Sequence, residues 1–178
     1  MTSDAGSAAD LPDARTAADR PAALVADLLR ARSEFLAALA EVDPARLARP
    51  VVLGEWSGRE LIAHMGYWCG HGTEALHLAE QGRLHEFVGS DLDVEALNAT
   101  VARVARATDE ATVRRREQAS FEALVERLRR VDPEMLDAPV RGGHTLESTV
   151  LEDGVRHYDE HVQHLRAAAR GPASTNGG

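Results

Sequence analysis

The stretch Val42-Asp-Pro-Ala-Arg-Leu-Ala-Arg-Pro-Val-Val-Leu-Gly54 recurs 89 residues later as Val131-Asp-Pro-Glu-Met-Leu-Asp-Ala-Pro-Val-Arg-Gly-Gly143, with seven of the thirteen positions identical. In both copies a helical pattern ends at Val-Asp-Pro, a turn follows, and a new helical pattern that bears histidines begins. The repeat therefore predicts two helical hairpins related by a pseudo-twofold axis. The alternative is a chance match in a sequence rich in Ala and Arg.

Apolar residues that recur with the helical period predict the elements around this repeat. Four long helices are expected, over residues 21–42, 57–81, 109–131 and 146–169, with a shorter one over 93–106. Ser57 and Glu60 form a capping-box pattern, and Asp93 is a candidate N-cap. Strand-like alternation is absent from the sequence. We therefore expect an all-α fold, a four-helix bundle of two pseudo-twofold-related helical hairpins with one additional short helix.

The length of 178 residues and the hydrophobic content of 44% suit one globular domain with a sizeable core. Residues 1–20 are rich in Ala, Asp and Ser, and residues 171–178 are small and polar. Both segments are expected to be disordered tails around a helical bundle domain over 21–170.

Charge and cysteine content exclude several classes of protein. The 20 basic residues are all Arg and are outnumbered by 29 acidic residues, for a net charge of −9, which does not suit a nucleic-acid surface. No run of about eighteen apolar residues occurs that would span a membrane, and the amino terminus does not resemble a secretion signal. A single cysteine, Cys69, cannot form an internal disulfide. These features predict a cytoplasmic protein without membrane or nucleic-acid partners.

Three histidines, His157, His161 and His164, follow each other at i, i+4 and i+7 and are expected on one face of the last helix. Two successive helical turns can aim two imidazoles at one metal ion, and a facing element must then supply the third ligand. His64 is the candidate, because it lies two turns into the helix that begins at Ser57. The pattern predicts a metal site formed by His64, His157 and His161. The alternative is a solvated helix face that carries a few histidines.

Other polar residues near these positions have two interpretations each. His164 either contacts a metal ligand or the substrate, or is a surface residue at a helix end. His71 lies roughly 10 Å along the helix from His64, too far to bind the same ion, and either lines a cleft or is a hydrogen-bonded core histidine. Asp153 either orients a ligand or accepts a proton, or is an ordinary helix carboxylate. Cys69 points away from the metal and is expected to be a buried structural thiol.

Together, Trp56-Ser57 before a helix, His64 two turns into it, and His157-x-x-x-His161-x-x-His164-Leu165 near the carboxyl end resemble the DinB/YfiT-like superfamily of metal-binding four-helix-bundle proteins. The resemblance covers roughly residues 20–169. Mycothiol-dependent maleylpyruvate isomerases of this superfamily carry Glu where this chain has His157. The three-histidine set is more similar to the bacillithiol-transferase and metal-hydrolase branch.

The resemblance implies a divalent metal ion held by His64, His157 and His161, with open positions for water or substrate. Zinc is the expected ion, and nickel, iron or manganese suit the same ligands. The implied function is that of a low-molecular-weight thiol S-transferase or thiol-dependent isomerase acting on a small electrophile, with the thiol as cosubstrate. Metal-dependent hydrolysis is one alternative, and a non-catalytic metal-binding stress or resistance protein is another. A homodimer is a further expectation from the family.

Overall fold

The computed structural model describes residues 17–50, 54–89 and 92–170. The helices are α1 (Arg20–Glu41), α2 (Pro44–Leu47), α3 (Gly58–Glu80), α4 (Val94–Arg106), α5 (Glu110–Leu128), α6 (Leu146–Val150) and α7 (His157–Arg170). Short 3-10 turns lie at Ala17–Asp19, Leu84–Glu86 and Pro133–Asp137, and strands β1 (Pro139–Val140) and β2 (His144–Thr145) form a small antiparallel ladder. The all-α fold predicted from the sequence is confirmed.

Side chains that cap the helices begin them where the sequence predicts. The Ser57 hydroxyl accepts a hydrogen bond from the Glu60 backbone N–H, and the Glu60 carboxylate accepts one from the Ser57 N–H at 2.8 Å, which completes the capping box at the start of α3. The Asp93 carboxylate accepts from the Ala96 N–H at 3.0 Å at the start of α4. These bonds satisfy N–H groups that the first turn of a helix leaves without partners.

The repeated Val-Asp-Pro motif forms the same turn in both halves. Asp43 caps α2 and Asp132 caps the 3-10 turn at Pro133–Asp137, and each carboxylate accepts from a backbone N–H two residues later. Within the bundle, however, α3 packs mainly against α5 and α1 mainly against α7. The principal helix contacts therefore join the two halves of the repeat.

The last helical region is not the single regular helix predicted over 146–169. A π-helical segment, Leu151–Arg156, separates α6 from α7. Its Gly154 packs against α1 so closely that a Cβ atom would lie 2.8 Å from Leu28 Cδ1. A π turn contains more residues than an α-helical turn. The side chains of α7, including its histidines, therefore project in a different direction from the one that an uninterrupted α-helix would give them.

The strands β1 and β2 were not predicted either. They flank Gly142 and Gly143, whose φ angles of 94° and 83° allow a tight reversal that other residues rarely adopt. The first helix begins at Arg20 after the turn at Ala17–Asp19, slightly before the domain boundary expected at residue 21. Residues 1–16 and 171–178, for which we predicted disorder, lie outside the described residues. No helix in the described ranges is long and apolar enough to cross a membrane.

A polar network lies inside the otherwise apolar core and joins all four long helices. The Glu117 carboxylate of α5 accepts two hydrogen bonds from the Arg32 guanidinium of α1, both at 2.7 Å, and a third from the Tyr158 hydroxyl of α7 at 2.7 Å. Cys69 Sγ of α3 lies 3.4 Å from the same hydroxyl. Burial raises the pKa of Cys69 to about 12. The cysteine is buried, as predicted.

Candidate metal centre

Three histidines from two helices meet at one point of the bundle. His64 projects from α3, and His157 and His161 project from successive turns of α7. One ring nitrogen from each of the three lies within 4.8 Å of the others. The Nε2 atoms of His64 and His157 are 2.8 Å apart, and the ring centroids are separated by 4.7 to 5.2 Å. The structure therefore brings together the three residues that the sequence singled out.

The centre is largely buried, and Glu160, an exposed carboxylate, lies beside it. His64 and His161 are each 4% exposed, and His157 is half-buried. Burial, followed by the neighbouring His157, lowers the pKa of His64 to about 3. Burial is also the main reason why the pKa of His161 is lowered to about 2, and the neighbouring His157 and His64 add to this shift. Burial lowers the pKa of His157 as well. All three imidazoles are therefore neutral at physiological pH, which is the form that binds a metal ion.

The outer sides of two of these rings face other polar groups. His161 Nδ1 lies 3.1 Å from His164 Nδ1, so one of these rings donates to the other. The Asn98 side chain of α4 approaches His64 and opposes part of the lowering of its pKa, although neither Asn98 Oδ1 nor His64 Nδ1 makes a regular hydrogen bond. These contacts resemble the outer contacts that orient ligating histidines in metal sites.

The hydrogen bonding of His161 tests whether the three grouped histidines are suited to bind a metal ion. Its Nε2 atom is buried without a hydrogen-bond partner among the described residues. Leaving a buried polar nitrogen unpaired costs about 1–3 kcal/mol. A shared ion would satisfy this nitrogen together with the two Nε2 atoms of His64 and His157. Three neutral imidazoles are a ligand set found at catalytic zinc sites, and the donor set therefore fits a divalent metal.

His71 and Asp153 form a separate pair rather than part of the histidine group. His71 Nδ1 lies 2.7 Å from Asp153 Oδ2, and its Nε2 donates to the Val88 carbonyl at 3.1 Å. Burial lowers the pKa of His71, but the hydrogen bond and the charge of Asp153 outweigh it, so the net shift is upward. Burial raises the pKa of Asp153. His71 is thus both hydrogen-bonded and cleft-lining, and Asp153 orients it rather than one of the three grouped histidines.

Three clefts that share lining residues extend from the histidines to this pair. One cleft of about 230 Å³ is lined by the three histidines with Trp56, Asn98 and Glu160. It adjoins a second of about 250 Å³, and that one adjoins a third of about 190 Å³, which contains His71, Asp153 and His144. Trp68 lines all three clefts, and its indole N–H has no partner among the described residues. These three clefts together are called the groove.

Sequence reasoning missed Asn98, Glu160 and the role of Trp68 in the groove. Asn98 is a polar residue at the edge of the apolar face of α4, and this interruption was the available signal. Trp68 is buried as a core residue would be and nevertheless lines the groove. Glu160 lies between two histidines in sequence, where it resembles any exposed helix carboxylate. Its place at the groove becomes visible only after α3 and α7 are packed together.

The comparisons with known proteins agree with this architecture. A family model described as the DinB superfamily matches residues 27–167, well over half of the chain, and this span includes all three grouped histidines. The comparisons with curated proteins and with solved structures found no significant match. The chain therefore belongs to the DinB superfamily.

Proposed function

We propose that this protein is a divalent-metal-dependent enzyme that uses a low-molecular-weight thiol to transform a small electrophile, by S-transfer or by thiol-dependent isomerisation. The observation that carries the proposal is the convergence of three neutral imidazoles, two buried and one half-buried, at the groove. In the described part of the chain, no Cys, Asp or Glu belongs to this group. A closed structural site would have a fourth protein ligand, whereas three ligands leave room for substrate.

His64, His157 and His161 would hold the ion, with zinc as the expected metal and nickel as an alternative. When bound by three neutral ligands, a divalent ion keeps its full charge and lowers the pKa of a coordinated water or thiol. The remaining contribution comes from the chain itself. It keeps the imidazoles neutral by burial, and it orients His161 through His164.

The residues around the histidines would bind and orient the substrate. Trp56 packs against His64 with ring centroids 4.8 Å apart, and Trp68 packs against His157 at 5.6 Å. These aromatic walls exclude water from one side of the centre. His71 and Asp153 would contact the part of the substrate farther from the histidines.

An external thiol is favoured because the chain supplies no sulfur nucleophile of its own. Cys69 is fully buried, is raised in pKa by burial, and contacts Tyr158 rather than the groove. A thiolate is the reactive form of a cysteine, and this residue is held as a thiol. A nucleophilic sulfur would therefore have to enter as a cosubstrate.

The metal content of the purified protein tests the first part of the proposal. Elemental analysis should find about one divalent ion per chain. The variants His64→Ala, His157→Ala and His161→Ala should each lose most of it, whereas His85→Ala, on an exposed 3-10 turn, should retain it. Full retention in any two of the three ligand variants would refute the assigned ligand set.

Turnover with and without thiol tests the second part. A metal-loaded thiol transferase should consume a maleyl or epoxide electrophile faster when a low-molecular-weight thiol is added. A metal-dependent hydrolase should instead turn over with water alone and be inhibited by the thiol. That second result would replace thiol transfer with hydrolysis as the activity of this site.

A further inference from the structure

A second cavity, of about 360 Å³, lies between α3, α4 and α5 and takes no part in the metal centre. Its walls are mainly apolar, and the principal apolar side chains are Ala63, Tyr67, Leu97, Val101, Val104 and Val113. The volume lies within the range of about 300–1,000 Å³ that is usual for small-molecule sites. Val104 is 45% exposed although it lines the cavity, so the apolar surface continues to the mouth.

The polar groups of this cavity favour an anion. Arg116 lines it and makes no hydrogen bond or ion pair with another described residue. The hydroxyl-bearing residues Thr100 and Ser120 also line it. On the face of α5 that carries Arg116, the residues one turn away are Thr112, Val113, Ala119 and Ser120, none of which is charged. By contrast with Arg116, Arg114 of the same helix is already paired with a carboxylate, that of Glu110.

Among the described residues, Glu117 is the one carboxylate that lines the cavity, and its charge is already compensated. It accepts two hydrogen bonds from Arg32 and one from Tyr158, and only 3% of its surface is exposed. An anion that entered the cavity would therefore meet the free guanidinium of Arg116 without facing an uncompensated negative charge.

We propose that this cavity binds a small amphipathic carboxylate, an aryl or medium-chain alkyl acid. The apolar part would lie against Leu97, Val101 and Val104, and the carboxylate would pair with Arg116 at the mouth. A guanidinium offers two parallel N–H groups that match the two oxygens of a carboxylate. The apolar walls would supply most of the binding free energy, and Arg116 would select the charge.

The site is distinct from the metal centre although the two share helices. α3 directs His64 and Trp68 to the groove, and it directs Ala63 and Tyr67 to the cavity. On α4, Asn98 lines the groove, whereas its neighbour Leu97 lines the cavity. No described residue lines both the cavity and the groove at the histidines. A ligand of the cavity therefore would not have to contact the metal.

Titration of the metal-loaded protein with octanoate, 1-octanol and octylamine tests the proposal. Methyl NMR signals of Leu97, Val101 and Val104 should shift with octanoate, and octanoate should bind more tightly than the other two compounds. Arg116→Gln should weaken octanoate binding about tenfold, which corresponds to about 1.4 kcal/mol, and leave binding of 1-octanol unchanged. The matched control is Arg115→Gln, because Arg115 contacts Thr112 and does not line the cavity.

A variant that fills the cavity provides the second arm. Val104→Trp places a large side chain at the exposed mouth and should abolish octanoate binding without unfolding the protein, which circular dichroism would check. His161→Ala should leave octanoate binding intact, so failure of the metal proposal would not affect this result. Equal affinity for octanoate and octylamine, an unchanged affinity in Arg116→Gln, or an unchanged affinity in Val104→Trp would each overturn the proposal.

Discussion

Histidine residues of this chain acquire opposite properties from their immediate surroundings. Burial lowers the pKa of His64 and His161 to about 3 and about 2, and the neighbouring imidazoles further disfavour the charged form. His71 is also buried, but a carboxylate and a carbonyl oxygen face its two nitrogens, and its pKa is raised. The first environment suits a metal ion, and the second suits a permanent hydrogen-bonded pair.

The outer contacts of the ligands should tune metal affinity. His164 contacts the far nitrogen of His161, and Asn98 approaches that of His64. We expect His164→Ala and Asn98→Ala to weaken metal binding about 10–100-fold, as is typical for such outer contacts. Competition with a chelator measures this affinity. Gln163→Ala, at an exposed position of α7, is the control and should bind as the wild type does. Unchanged affinity in both variants would remove these residues from the site.

The pair of His71 and Asp153 should make stability depend on pH. Because the pKa of folded His71 is raised above its unfolded value of about 6.5, its stabilising effect is complete below that value. It is lost as the pH rises through the folded pKa. His71→Gln keeps a hydrogen-bond donor but lacks the charge, so we expect it to be less stable by about 1–2 kcal/mol at acidic pH. Denaturant unfolding of both proteins with a chelator, from about pH 5.5 to 9, should show this difference shrinking. A constant difference would contradict the raised pKa.

At the scale of the helices, two glycines of α3 distinguish the effect of close packing on stability from the effect of intrinsic helix propensity. A Cβ at Gly66 would lie 2.9 Å from Glu117 Cα, and backbone atoms cannot easily move away. At Gly70 the nearest atom would be Ser120 Oγ, at 3.9 Å. We expect Gly66→Ala to destabilise the fold by about 1–3 kcal/mol and Gly70→Ala to stabilise it by about 0.5–1 kcal/mol. Thermal unfolding measures both, and equal effects would show that α3 and α5 are less tightly packed.

Local signals in the sequence were sufficient to predict most of the elements. The capping box at Ser57 and the N-cap at Asp93 each join residues that are three positions apart, so both can be recognised from a short stretch of sequence. The π-helical segment was not predicted, and its Gly154 packs against Leu28, more than a hundred residues earlier in the chain. The preference of α1 for α7 is a choice between similar apolar faces, which periodicity does not distinguish.

For the whole molecule, the grouping of His64 with two histidines of α7 could be predicted because a metal site restricts which residue types must meet. The rest of the site required the relative positions of helices. Asn98 comes from α4, and the groove is lined by Trp68 of α3 together with Glu160 of α7. The same holds for the network around Glu117, whose members are ordinary helix residues in the sequence and become partners only when the bundle has formed.

That network should make the four long helices unfold as one unit. Arg32→Met leaves the buried Glu117 carboxylate with only the Tyr158 hydroxyl, and losing one partner of a buried ion pair costs about 3–5 kcal/mol. Adding Glu117→Gln removes the charge while keeping an acceptor for that hydroxyl, so the double variant should recover about 2 kcal/mol or more of the loss. Arg30→Met, which breaks an exposed pair with Asp159, should cost less than about 1 kcal/mol.

Chemical denaturation of the four proteins at neutral pH completes this comparison. The double variant should be more stable than Arg32→Met alone, although it carries one more substitution in the core. That order follows because a buried charge without a partner is more costly than a neutral amide at the same place. If the two substitutions instead destabilised additively, the carboxylate of Glu117 would have found water or another cation. The conclusion that Glu117 links α1, α5 and α7 through its hydrogen bonds would then be wrong.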